Sequence, residues 1–159
     1  MIYRAYDRKP DPILLRTLGR QARRRGIFLL VAGDDSAARC LCVGGMHLPE
    51  YRLKTPSTEH MFDRSRRARP DLIVTAAAHS EHAIIAAARA GVDAVLISPV
   101  FPTESHPGAP VLGIVRFARL ATVARRTGLD VYALGGMTSE LARRLRGTGT
   151  TGIAGISLW

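Results

Sequence analysis

Residues Gly91–Gly113, GVDAVLISPVFPTESHPGAPVLG, decide how this chain is read. The segment starts with a four-residue apolar run, Ala94-Val95-Leu96-Ile97, bounded by turn formers. Such a run predicts a parallel strand buried on both faces. From Ser98 onward it turns polar and proline-stiffened, with Thr103, Ser105 and His106 along the way. A loop of that kind at the C-terminal end of a buried strand is where α/β proteins place their chemistry.

Outward from this stretch, the same alternation repeats in both directions. Upstream, Ser80 caps a helix with Ala83-Ile84 and Ala87-Ala88 at helical spacing and Gly91 as its stop. Before it stand a strand at Leu72–Thr75 and a helix running from Ser57-Thr58-Glu59 to just before Pro70. Further back come an irregular loop over Pro49–Pro56, a strand at Val43–Leu48, a short helix at Ser36–Cys40 and a strand at Ile27–Val31. An amphipathic helix spans about Asp11–Arg25, with Asp11 as N-cap and Pro12 in the first turn, after a short strand at Ile2-Tyr3. Downstream, a helix covers Ile114–Arg126 and a strand covers Val131–Leu134 before Gly135-Gly136. A helix capped by Ser139 then runs to Arg146, and the last strand is Gly152–Ser157.

Strand and helix alternate with no hairpin signal, which predicts a parallel sheet with right-handed crossovers. Seven strands without a nucleotide-binding glycine fingerprint point to an α/β TIM (β/α)8-type barrel formed as one domain over residues 1–159. A barrel of this type usually runs to about 250 residues. This one is expected to be truncated, with its first strand and last helix missing. The edge left open beside the last strand is a site for dimerisation, giving a homo-oligomer, or for aggregation.

Composition narrows the setting. Apolar residues make up 47% of the 159 residues, ordinary for a globular domain. No run approaches the ~18 apolar residues of a membrane helix, and MIYRAYDRKPDP lacks a signal-peptide core. A cytoplasmic protein without a membrane partner is expected. Cys40 and Cys42 are read as small reduced residues in or near the core. The net charge of +10 comes almost wholly from arginines bunched near the ends of predicted helices, where cations suit the helix dipole. No aromatic residues interleave with them, so nucleic acid is not the expected partner.

In a barrel, functional groups gather at the C-terminal ends of strands. That selects Arg4, Asp34 and Asp35, His47 and Glu50, Thr75 to Ser80 with His79, Ser98 to His106, Gly135-Gly136, and Ile156-Ser157. Glycine after the last strands lets a backbone approach a phosphate, though Gly-Gly also serves ordinary turns. Asp34 and Asp35 read equally as metal ligands or as a helix cap. His47 reads as a packed strand-end residue, and His79 as a group at the barrel mouth or a loop histidine held by a neighbour.

The strings themselves resemble a known family. SPVFPTESHPGAPVLG (Ser98–Gly113), AHS (Ala78–Ser80), GVDAV (Gly91–Val95), YALGGM (Tyr132–Met137), GIAGIS (Gly152–Ser157) and GGMHLPE (Gly44–Glu50) are similar, in order and spacing, to the thiamine phosphate synthase/TenI family. The resemblance implies a barrel that joins hydroxymethylpyrimidine diphosphate to thiazole phosphate with loss of pyrophosphate, aided by Mg²⁺. It implies that Thr103 and Ser105 hold phosphate oxygens, that Gly136, Ile156 and Ser157 offer backbone donors, and that Arg4 touches the diphosphate. Asp34 or Asp35 becomes a metal ligand, with Glu50 near the place of a second acidic ligand. His106 stands where the family has a lysine, and would carry charge only when protonated. A related branch isomerises the thiazole through the histidine of AHS, here His79. A catalytically inactive barrel that binds a phosphorylated ligand is the third implied outcome.

Overall fold

The computed structural model describes residues 1–4, 11–32, 42–55, 66–104 and 107–155. Helix α1 (Pro12–Arg24) begins where the sequence signals it: the Asp11 carboxylate accepts from the Ile13 N–H at 2.8 Å, with Pro12 in the first turn. Leu15, Gly19 and Ala22 form its buried face at helical spacing. A Cβ on Gly19 would meet the Cys42 carbonyl oxygen, so this glycine lets the helix lie directly on the following chain. Leu15, Ala22, Leu29, Val31 and Val43 make one hydrophobic cluster, with Tyr3, Leu18 and Cys42 packed against it.

That cluster belongs to the first of two compact units, Met1–Thr75. Strands β1 (Ile2–Arg4), β2 (Leu30–Ala32) and β3 (Gly45–Leu48) pair in parallel, with Ile2↔Leu30↔Gly45 and Arg4↔Ala32↔His47 in register. The strand expected from Ile27 thus begins at Leu30. Pairing with β1 starts only there, and Ile27 and Phe28 are left exposed. Glu50–Lys54, expected as irregular, forms a 3-10 helix after Pro49. Cys42 packs against the core as expected, but it is disulfide-bonded rather than a reduced thiol. The short helix expected at Ser36–Cys40 lies outside the described residues. Of the helix expected before Pro70, residues 66–68 are helical and the earlier part lies outside the description.

Strand β4 (Ile73–Ala78) runs through the division between the units and is longer than Leu72–Thr75 suggests. Ala76 and Ala78 are wholly buried within it. Alanine is a weak strand former, so burial rather than propensity extends this strand.

In the second unit, Ala76–Trp159, Ser80 caps α2 (Glu81–Arg89) by accepting from the Ala83 N–H at 3.2 Å. Strand β5 (Ala94–Ile97) is buried at every position, as its sequence requires. It pairs in parallel with β6 (Asp130–Leu134), which pairs in parallel with β7 (Gly152–Ala154). Helix α3 (Gly113–Arg126) buries Phe117, Leu120, Ala121 and Ala124. Helix α4 (Ser139–Arg144) is capped by Thr138, one residue before the serine expected there; the Thr138 hydroxyl accepts from the Leu141 N–H at 3.2 Å.

Candidate functional site

The loop after β5 is fixed by backbone hydrogen bonds. Its two feet are joined: Leu112 N–H donates to Pro99 at 2.9 Å and Gly113 N–H donates to Val100 at 3.0 Å. It is also stitched to the turn after β6, where Val100 N–H donates to Leu134 at 2.9 Å and Phe101 N–H to Gly135 at 3.2 Å. Val100 is fully buried and Phe101 nearly so, which pins the loop's base. An open hollow of about 510 Å³ is lined by Pro102, Thr103, Glu104, Pro107, Gly108, Ala109 and Val111. Thr103 is half-buried there. Ser105 and His106 lie outside the described residues.

Gly135 and Gly136 have φ of +99° and +62°, a left-handed backbone that favours glycine. Space requires glycine too. A Cβ on Gly135 would come within 2.9 Å of Pro99, and one on Gly136 would meet the Pro102 carbonyl oxygen. Gly136, expected as a backbone donor to phosphate, is therefore demanded first by the close approach of the β5 loop.

His79 follows β4 and is exposed. Its Nε2 lies 3.3 Å from the Ser98 hydroxyl, while the Ser98 N–H donates to Ala78 O at 3.4 Å. The ends of β4 and β5 are thereby tied together beside an imidazole. Ser98 lies in the candidate range from the sequence, yet its partnership with His79 is not signalled there.

In the first unit, Arg4 is exposed at the end of β1, in the register row that contains His47. His47 is only 4% exposed, and its Nδ1 lies 2.9 Å from the Thr75 hydroxyl. Thr75 Oγ1 also lies 3.4 Å from Met46 O. Burial, reinforced by the nearby Arg4 charge, pushes the His47 pKa down to about 4, so the ring is neutral near pH 7. This neutral buried pair was not separable in the sequence from an ordinary packed histidine.

Glu50 is half-buried at the start of the 3-10 helix. Asp34, Asp35, Ile156 and Ser157 lie outside the described residues. Among the described residues no three His, Cys, Asp or Glu side chains gather as a metal site. Nor, among them, is any helix long and apolar enough to cross a membrane.

Parallel strands alternating with helices, with candidate groups at the strands' C-terminal ends, define an α/β protein of the TIM type. A solved thiamine phosphate pyrophosphorylase from Pyrococcus furiosus shares the fold: TM-score 0.73 and 22% identity, covering 98% of this chain and 70% of that one. The chain belongs to the thiamine monophosphate synthase family, whose model matches residues 4–158. A protein of Aquifex aeolicus provisionally named thiamine-phosphate synthase 2 is 37% identical over 132 residues, covering 83% of this chain and 66% of that protein. The thiamine-phosphate synthase of Geobacillus thermodenitrificans is 27% identical over 156 residues, covering 96% of this chain. The chain spans 66% of the length of the Aquifex aeolicus relative and 54% of that of a Streptococcus pneumoniae thiamine-phosphate synthase 2.

Proposed function

We propose that this chain acts in thiamine biosynthesis as a thiamine phosphate synthase-type transferase. It joins hydroxymethylpyrimidine diphosphate to thiazole phosphate and releases pyrophosphate. The observation that carries the proposal is the family match along residues 4–158. Such chemistry asks mainly for positioning and charge stabilisation, not for a protein nucleophile. Arg4 would contact the diphosphate from the end of β1. Thr103 and Ser105 would grip phosphate oxygens at the β5 loop, with His106 adding charge when protonated. Gly136, Ile156 and Ser157 would present backbone N–H groups to the thiazole phosphate. Mg²⁺ would neutralise the departing diphosphate; Asp34, Asp35 and Glu50 supply the oxygen donors a hard cation prefers. The divergence of this site from the family pattern, at His106 above all, is part of the proposal, as are a cytoplasmic setting and a homo-oligomeric state.

Purified protein given both substrates and Mg²⁺ should release pyrophosphate in proportion to thiamine phosphate formed. No release from a folded sample overturns the proposal.

A second activity, thiazole isomerisation by His79, is favoured by the exposed imidazole and its Ser98 contact. It asks for neither a diphosphate site nor a metal. His79→Ala should abolish isomerisation while the circular dichroism spectrum stays unchanged; activity retained in that variant excludes the role.

A further inference from the structure

We infer that Ser98 is a positioning residue for His79: its hydroxyl holds one ring nitrogen and so sets the orientation in which the imidazole meets a ligand. The inference rests on His79 being the proton-transfer group proposed above.

Ser98 touches the end of β4 twice, through its N–H to Ala78 O and through its hydroxyl to His79 Nε2. The neighbouring hydroxyl, Ser80, is engaged elsewhere, capping α2 through the Ala83 N–H. Ser98 itself has little freedom. Its N–H is bonded to Ala78 O at the end of β4, which holds its backbone in place. On its other flank Val100 is fully buried and its N–H is bonded to Leu134. A half-buried hydroxyl whose own backbone is bonded to the end of β4 gives the exposed imidazole a fixed point to orient against.

The chemistry suits a group that gains and loses a proton. A neutral imidazole has one donor and one acceptor nitrogen, and imidazolium has two donors. A serine hydroxyl donates or accepts, so the contact survives both states with only a rotation of the O–H.

The test uses the full chain labelled with ¹⁵N-histidine, with the His79 signals assigned by their loss in His79→Gln. Ser98→Ala should move the ring ¹⁵N shifts of His79, which respond to loss of a hydrogen bond, whereas Ser98→Thr, which keeps the hydroxyl, should retain the wild-type pattern. With thiazole phosphate as substrate, isomerisation should fall about tenfold in Ser98→Ala, the upper worth of one ordinary hydrogen bond, with KM unchanged. Ser98→Thr should restore it. If Ser98→Ala fails to fold, Ser98→Cys, of similar size but a poorer hydrogen-bonding group, gives the same readout. Wild-type ¹⁵N shifts in the variant lacking the hydroxyl overturn the inference. If the shifts respond to Ser98→Ala but the wild-type protein has no isomerase activity, the positioning role stands and the reading of His79 as the proton-transfer group is overturned.

Discussion

His47 and Thr75 form a buried polar pair, imidazole Nδ1 to hydroxyl oxygen at 2.9 Å, at the end of β3. Losing one member strands the other. Thr75→Val should therefore destabilise the fold by about 1–3 kcal/mol, the cost of leaving a buried polar atom unsatisfied. Urea unfolding should show a lower midpoint at an unchanged m-value, and Thr75→Ser should recover most of the loss.

The same histidine predicts an acid limb. Its pKa is about 4 when folded, against an ordinary value of 6.5. The unfolded chain thus binds more protons between these values, and stability rises with pH across that window. The contribution is fully present above about pH 6.5 and is lost as pH falls through about 4, by roughly 3 kcal/mol in total. In His47→Gln, chemical denaturation between pH 6.5 and 5 should show a flatter slope than wild type.

Arg4 supplies the second cause of that low pKa. Arg4→Ala should raise the His47 pKa, as read by proton or nitrogen NMR titration. It should also weaken binding of pyrophosphate, the anion the proposed reaction releases; unchanged affinity would remove Arg4 from the proposed diphosphate contacts.

Two glycines with similar backbone angles should behave differently. Gly91 has φ of +72° with nothing within 4 Å of a built Cβ, so Gly91→Ala meets only the backbone penalty of about 1–2 kcal/mol. Gly136→Ala adds a collision with the Pro102 carbonyl, and thermal melting should show a clearly larger drop in Tm.

Gly19 reverses a familiar rule. Glycine inside an exposed helix is normally about 0.5–1 kcal/mol worse than alanine. Here a Cβ would strike the Cys42 backbone, so Gly19→Ala should lower the melting temperature instead of raising it.

These positions show what the sequence discloses and what it hides. Strand β5 and the caps at Asp11 and Ser80 are legible because a single local pattern determines each. The extension of β4 through Ala76–Ala78 is not, since its cause is burial in three dimensions and alanine carries no strand signal. The cap at Thr138 instead of Ser139 is not legible either, because the two adjacent hydroxyls are equivalent in one dimension. At the candidate site, the strand-end histidines are visible as residues, but their partners, Thr75 and Ser98, stand 28 and 19 positions away. Gly135-Gly136 is visible as a pair, yet the proline-rich segment that presses on it becomes apparent only when the chain is folded.

The four backbone bonds that hold the loop after β5, from Val100, Phe101, Leu112 and Gly113, involve no side chain at all. The feet of that loop are thus attached through main-chain atoms, with the buried Val100 and Phe101 side chains packed at its base. An attachment of that kind asks little of the sequence: any residue other than proline at positions 100, 101 and 112 brings the same N–H donor.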